Sequence, residues 1–324
     1  MKRKGNIYPL IYDMDNLRLA DMAARKNKLK SHGVKLFDKN PEGNLLLLQD
    51  MLINKTYQTG AYRTFIIKEP KEREISALDY FPHRVLHHAI MLQIENILVP
   101  SFTAFTYSCI KRRGIKAAST ALTKALRDVP NTQYCLQIDV KKFYPTIDHD
   151  ILKSLIRRKI KDNDLLELLD GIIDSAPGVP IGNYLSQFFA NLYLSALDHL
   201  LKEGLGVTNC FRYADDIVIL ASNKPFLQKL LSQIKEFLKT KLNLTLKHNY
   251  QVYPVAERHK GRGIDFCGVV HYHTHRRLRK TIKQNYAREV AGRNRPRVVA
   301  GYGGWVKLCN GAHLVKKIHQ YEQF

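Results

Sequence analysis

Apolar residues recur along the chain in blocks whose period switches between helical and strand-like. Residues 7–54 read as helical and basic; within them Leu45, Leu46, Leu48, Met51 and Leu52 give a helix over 44–53 a broad apolar face, with Asn44 as its N-cap. Segments 61–67 and 73–76 alternate as two strands about a turn at Glu69-Pro70. Helical spacing returns over 82–97 (Val85, Leu86, Ala89, Ile90, Leu92, Ile97) and over 115–129. Residues 134–140 read as a strand reaching Asp139, and helices over 150–160 and 165–173 follow. A breaker stretch at 176–180 precedes a helix over 188–203 that stops at Gly204. Segment 210–221 holds two short β-forming runs hinged on Asp215-Asp216, and 226–242 is an amphipathic helix built on Leu227, Leu230, Leu231, Ile234, Phe237 and Leu238. The order β-α-α-ββ-α-β predicts an α+β chain with a split βαβ sheet. No internal repeat or low-complexity tract interrupts it.

Composition narrows the class. The chain has 324 residues and 45% hydrophobic content, enough for a globular core and two or three subdomains. Lys plus Arg is 52 against 29 Asp plus Glu, a formal +23, which predicts a polyanionic partner held through phosphate neutralisation. No apolar run approaches the ~18 residues of a membrane span, and no amphipathic basic anchor suits an acidic bilayer. The basic start at Lys2-Arg3-Lys4 lacks the apolar stretch of a signal peptide. The five cysteines are scattered, with no C-x-x-C spacing, which fits a reducing compartment and no structural zinc. The expectation is a cytoplasmic protein with no membrane partner. The charge run over 25–30 reads as a solvated helix face.

Candidate chemistry concentrates at Asp215-Asp216. Turns accept Asp readily, so a solvated corner is one reading. Yet the flanks are apolar enough to be core strands, and the turn lacks the glycine that a tight loop usually takes. Paired carboxylates on a rigid hairpin repel unless a cation lies between them, and hard divalent ions take such ligands. Asp139, at a strand end, adds a third acid and completes the minimal kit for two-metal phosphoryl transfer.

Tyr213-Ala214-Asp215-Asp216 resembles the YxDD box of reverse transcriptases, and Asp139 falls where their first catalytic acid lies. The resemblance runs over roughly 55–310. It implies a right-hand polymerase: a basic helical segment 1–55, fingers 56–125, a ferredoxin-like palm 126–270 and a short basic helical thumb 271–324. It implies two Mg²⁺ ions, with Mn²⁺ as a possible substitute, on Asp139, the Val140 carbonyl, Asp215 and Asp216. Lys68 and Arg73 would close on the incoming dNTP, and Lys142, Phe143, Tyr144, Ile181, Gly182 and Gln187 would line its site. Tyr144, five residues past Asp139, would exclude a 2′-hydroxyl; the rival reading is a core aromatic beside Phe143. Arg112 and Arg113 would track a nucleic-acid backbone. Arg276, Arg277, Arg279 and Lys280 open a stretch over 276–297 with nine Lys or Arg against Glu289 alone, read as a helix gripping the duplex.

The form Ile181-Gly182-Asn183-Tyr184-Leu185-Ser186-Gln187 departs from the Gln-Gly-x-x-x-Ser-Pro pattern of most reverse transcriptases. It is similar to the enzymes of diversity-generating retroelements, encoded by bacteria or phages. That likeness implies error-rich, adenine-mutagenised cDNA copied from a template-repeat RNA, an RNA–DNA hybrid in the cleft, and a small basic accessory protein. A retron or defence-type enzyme is the alternative; a non-catalytic RNA-binding protein has no need of three intact acids. Where many family members carry a lysine after the last palm helix, this chain has Tyr250, leaving Lys247 or His248 as general acid. His87 and His88 read as structural. His271, His273 and His275 alternate on one predicted strand face, where zinc is the minor reading.

Overall fold

The computed structural model describes residues 2–67, 72–256, 262–292, 295–309 and 311–320. Its elements in chain order are α1 (Tyr8–Tyr12), α2 (Met14–Ala24), α3 (His32–Phe37), α4 (Pro41–Ile53), β1 (Arg63–Ile67), β2 (Arg73–Ala77), α5 (Val85–Leu98), α6 (Ile115–Ala125) and β3 (Tyr134–Asp139). Then come α7 (His149–Arg157), α8 (Asn163–Ile173), α9 (Tyr184–His199), β4 (Cys210–Tyr213), β5 (Asp216–Ala221) and α10 (Lys224–Leu242). The chain ends with β6 (Gln251–Pro254), β7 (Ile264–Phe266), β8 (Val269–His271), β9 (Arg276–Leu278), α11 (Lys280–Ala291), α12 (Pro296–Lys307) and α13 (Ala312–Gln320). Two compact units form, neither continuous in sequence. One takes Met1–Thr103, Lys142–Leu200 and Phe237–Leu244; the other takes Ala104–Lys141, Leu201–Glu236 and Thr245–Phe324.

The first unit is helical apart from the β1–β2 ribbon. Val85, Leu86, Ala89, Ile90, Ile94 and Leu98 of α5 are fully buried, against α2 on one side and α9 on another. Each of the Val, Leu and Ile side chains stabilises the fold by roughly 1.5–3 kcal/mol. His87 and His88 are buried in the same helix; burial pushes their pKa values down to about 3 and about 4, so both stay neutral. The His88 ring stacks on Tyr184 with centroids 3.8 Å apart. Phe81 is extended (φ −113°, ψ 137°), and helical backbone runs from Pro82 into α5, as the 82–97 reading expects. Two helix starts lie about a turn earlier than the periodicity reading places them. α4 begins at Pro41, because Asn40 caps the Gly43 N–H and Pro at N1 has no N–H to leave unpaired; Asn44 donates instead to Phe37 O at 3.1 Å. α9 begins at Tyr184, with extended Asn183 as N-cap, and its buried face of Leu185, Phe188, Phe189 and Leu192 starts before Phe188.

The second unit is built on a four-stranded sheet of order β4-β5-β3-β6 with every neighbour antiparallel. This is the ferredoxin-like order that the strand and helix sequence predicts. Strand alternation sends Cys135, Phe211, Val218 and Leu220 to a shared core, which Ala118, Leu122 and Leu126 at α6 and Ile264 and Phe266 of β7 complete. α6 ends at Ala125 rather than 129; Pro130 disfavours helical backbone at Val129. β7, β8 and β9 form a second, antiparallel sheet. Helices α11–α13 carry their own small core of Tyr286, Val290, Val306 and Ile318. Two expectations fail here. Arg276 and Arg277 lie on strand β9 rather than on a helix, because Arg276–Leu278 pairs with Val269–His271. The histidines do not share a strand face: β8 ends at His271, Tyr272 N donates to His275 O at 2.9 Å, and 272–275 is the turn into β9. His271 is buried beside Thr123 (3.2 Å), and His273 meets Thr132 O at 3.1 Å, so both brace the fold.

Candidate active site

The strand register brings the three acids of the sequence reading to one sheet edge. Asp139, the last residue of β3, lies opposite Asp216, the first residue of β5. Asp216 also pairs with Tyr213 across the hairpin, so Ala214 and Asp215 form a two-residue loop. Residues directly opposite on antiparallel strands have Cβ atoms about 4.5–5.5 Å apart, and like charges there repel. The loop has no glycine, and Ala214 takes the left-handed conformation itself, at φ 55°. Its N–H donates to Ser108 Oγ at 3.0 Å, and its carbonyl accepts from Arg212 Nη1 at 3.1 Å. Arg212 is fully buried, and its Nη2 donates to Thr106 Oγ1 at 2.9 Å.

Electrostatics follow from that crowding. Burial first, then the nearby charge of Asp139, pushes the Asp215 carboxyl up to about 6. Burial and Asp139 push Asp216 up to about 7, against the pull of Gln137. Gln137, two residues before Asp139, donates to Asp265 O at 2.8 Å and accepts from the Tyr253 hydroxyl at 3.1 Å. The ammonium of Lys247 is ion-paired with Asp139 Oδ2, and the Lys247 N–H donates to Asp139 O at 2.9 Å. Tyr250 lies under the Lys235 ammonium, 3.9 Å from its ring centroid.

These donors suit a hard divalent cation. All three are carboxylates, two are held above their ordinary range, and Asp139 Oδ1 is buried with no hydrogen-bond partner among the described residues. They are not drawn into a closed cage: among the described residues no group of three His, Cys, Asp or Glu side chains is arranged to hold an ion, and Lys247 takes one Asp139 oxygen.

The other sequence-predicted residues fall as follows. In the second unit Val140 is buried and bridges Leu246. Arg112 is exposed, whereas Arg113 Nη1 donates to Thr106 O at 2.8 Å and braces the loop. Arg277 is exposed over the Tyr272 ring, Lys280 is exposed, and Arg279 is ion-paired with Asp265 at 2.7 Å. In the first unit Lys142 is exposed at φ 46°, Phe143 is buried in the core and Tyr144 is half-buried. Core packing therefore falls to Phe143 and leaves Tyr144 partly open. Ile181 O accepts from Ser76 N at 2.8 Å, and a side chain at Gly182 (φ 133°) would meet Ser76 O at 2.4 Å, so only glycine fits there. Gln187 is exposed in the first turn of α9, and Arg73 is exposed at the start of β2. Lys68 lies outside the described residues. Ser108, Arg212 and Gln137 also bond around this edge, and nothing in their sequence spacing marks them.

Comparison with known proteins identifies the family and the fold. Residues 67–250 match the model of the reverse transcriptase (RNA-dependent DNA polymerase) family. Protein YkfC of Escherichia coli is 25% identical over 173 residues, covering 49% of this chain and 45% of that protein. The group II intron-encoded protein LtrA of Lactococcus lactis is 25% identical over 169 residues, covering 48% and 28% respectively. The matched segment thus spans less than half the length of these relatives. An apo telomerase from Candida tropicalis, truncated from its C-terminal domain, superposes with a TM-score of 0.51 at 15% identity, over 69% of this chain and 55% of that one. That likeness concerns the fold, which is the right-hand polymerase fold. With the family match spanning more than half its length, this chain belongs to the reverse transcriptase family.

Proposed function

We propose that this protein is an RNA-directed DNA polymerase that extends a DNA 3′ end with dNTPs on an RNA template. The observation that carries the reading is the meeting of Asp139, Asp215 and Asp216 at one sheet edge inside a reverse transcriptase domain. Mg²⁺, with Mn²⁺ as a substitute, would be held by the three carboxylates and the Val140 carbonyl. When bound, the ions would supply the Lewis acidity that activates a 3′-hydroxyl and steadies pyrophosphate. Lys247, fixed beside Asp139 by its own main chain, is better placed than His248 to serve as general acid. Arg73, with Lys68, would meet the triphosphate, and Tyr144 would stand beneath the sugar. The net charge of +23 suits an RNA template and an RNA–DNA hybrid.

Within the family, the form of residues 181–187 supports a diversity-generating retroelement enzyme working with a small basic accessory protein in a bacterial or phage-infected cytoplasm. Ile181 has no donor or acceptor to offer a nascent base pair. Polar sites reject mismatches strongly, whereas apolar ones discriminate by only about 1–3 kcal/mol. Ile181 then contributes to misincorporation opposite template adenine. Primer extension on RNA with dNTPs tests the general reading, and absence of incorporation overturns it. Ile181→Gln on the same template tests the finer one: the expected result is fewer errors opposite adenine with elongation retained. An unchanged error spectrum, or a locus without template and variable repeats, favours a retron or defence-type enzyme.

A further inference from the structure

The turn that carries Asp215 is held from outside its own hairpin. Ala214, at φ 55°, sits where an L side chain crowds the adjoining carbonyl. Hairpin loops that need this conformation usually place glycine or asparagine there. A non-glycine residue persists in it only where the surroundings over-determine the backbone. Here both main-chain polar groups of Ala214 are engaged: the N–H by Ser108 Oγ at 3.0 Å and the carbonyl by Arg212 Nη1 at 3.1 Å. Ser108 is 3% exposed and Arg212 0%, so both partners reach the half-buried loop from within the packed interior.

The anchor behind them is a short segment laid along β4. Arg212 N donates to Phe105 O at 2.8 Å, and Tyr107 N donates to Arg212 O at 2.9 Å. Thr106 Oγ1 accepts from Arg212 Nη2 at 2.9 Å, and Thr106 O accepts from Arg113 Nη1 at 2.8 Å. The Ser108 hydroxyl is thereby fixed in register with the loop, at a sequence separation of 106 residues from Ala214.

We propose that Ser108 is a positioning residue for Asp215: its hydroxyl, with the buried Arg212 guanidinium, holds Ala214 left-handed and so sets the direction in which Asp215 leaves the turn. This rests on the polymerase reading, because the carboxylate of Asp215 is what the clamp serves. Loss of the hydroxyl leaves the half-buried Ala214 N–H without its partner and removes the restraint that keeps alanine in a disfavoured conformation. Relaxation of the loop then displaces Asp215, and a displacement of about 1 Å in a reacting group can lower a rate by about 10²-fold.

The experiment uses the full chain with Ser108→Ala, a change small enough to keep the core. The kcat for dNTP incorporation should fall about tenfold or more, equivalent to about 1.4 kcal/mol, while the primer–template Kd stays put. Amide hydrogen exchange at Ala214 should accelerate with the rest of β4 and β5 still protected. Adding Ala214→Gly should bring kcat back to near wild type, since glycine takes this conformation without strain, while the amide at 214 stays fast. A role in stability alone would lower Tm, spread fast exchange through the sheet and be indifferent to the glycine. Wild-type kcat in Ser108→Ala, or a loss that Ala214→Gly does not restore, overturns the clamp. If the wild type incorporates no dNTP, the polymerase reading fails by itself, and exchange at Ala214 still decides the clamp: unchanged exchange in Ser108→Ala refutes it.

Discussion

The chain contains two hairpins of similar length in opposite surroundings. All five residues of β1 are exposed, Phe65, Ile66 and Ile67 among them, and its partner β2 starts with exposed Arg73. In the β4–β5 hairpin Cys210, Phe211 and Arg212 and then Ile217 to Leu220 are buried, and the loop between them is bonded on both sides. Both are antiparallel ladders with regular register. What differs is whether packing fixes the side chains. An exposed ribbon presents charge without choosing one place for it, which suits recruitment of a mobile anion. A buried hairpin holds a carboxylate to a narrow tolerance, which suits chemistry, at the cost of repulsion between Asp139, Asp215 and Asp216.

The largest effect should come from the buried hairpin. Asp215→Asn should lower incorporation by about 10³-fold or more, as the transition state loses charge that it needs, while RNA binding survives. Polymerisation retained by that variant in Mg²⁺ would remove Asp215 from the chemistry and dissolve the contrast. Stability against pH probes buried groups of another kind. His87 and His88 have folded pKa values of about 3 and about 4. The unfolded chain takes up protons at these positions below its ordinary His pKa of about 6.5, so the folded state keeps full stability above that value and loses it as pH falls toward 4. The slope approaches about 1.4 kcal/mol per pH unit for each histidine. Urea unfolding from pH 7 to 5 should reveal the loss, and His88→Phe, which can still stack on Tyr184, should reduce it by about half.

Effects on exposed residues should be smaller and of another type. Arg73→Ala should raise KM for dNTP about tenfold with little change in kcat, the signature of a group that binds ground and transition states alike. A fall in kcat with KM unchanged would place Arg73 in the chemistry and blur the two hairpins. Smallest is the salt response. Replacing Arg277 and Lys280 together should reduce the log–log salt slope of hybrid binding by roughly one to two, about 0.9 per phosphate contact. Arg279, already paired with Asp265, should contribute less. An unchanged slope with Arg277 and Lys280 replaced would move the duplex contact elsewhere.

Much of the palm was legible because connectivity and alternation constrain each other. The order β-α-α-ββ-α-β with apolar alternation in 134–140 and 210–221 leaves few ways to pair the strands, and β4-β5-β3-β6 is the one adopted. Most helix interiors were read correctly, although Leu46 and Leu92 are exposed, while the starts at 41 and 184 moved because caps and extended residues decide them locally. The Asn40-Pro41 pair was a visible start signal that the apolar run beginning at Leu45 overshadowed. The three histidines show the limit of alternation: period two holds only while the chain stays extended, and at Tyr272 it turns.

Sequence alone singled out the three acids that meet at the sheet edge. Asp139 ends an apolar strand and Asp215-Asp216 breaks an apolar hairpin, so each is placed by its own neighbours. It determined the strongly basic net charge as well, since +23 does not depend on the fold. Only tertiary structure decided what holds those acids in place. Lys247 meets Asp139 across 108 residues and Ser108 meets the Ala214 N–H across 106, and neither pairing leaves a periodic trace. It also separated Arg279, tied to Asp265, from exposed Arg277, and buried Phe143 from half-buried Tyr144. The physical reason is range: propensity, capping and alternation act over a few residues, whereas burial, charge pairing and strain depend on which distant segments the packed core brings into contact.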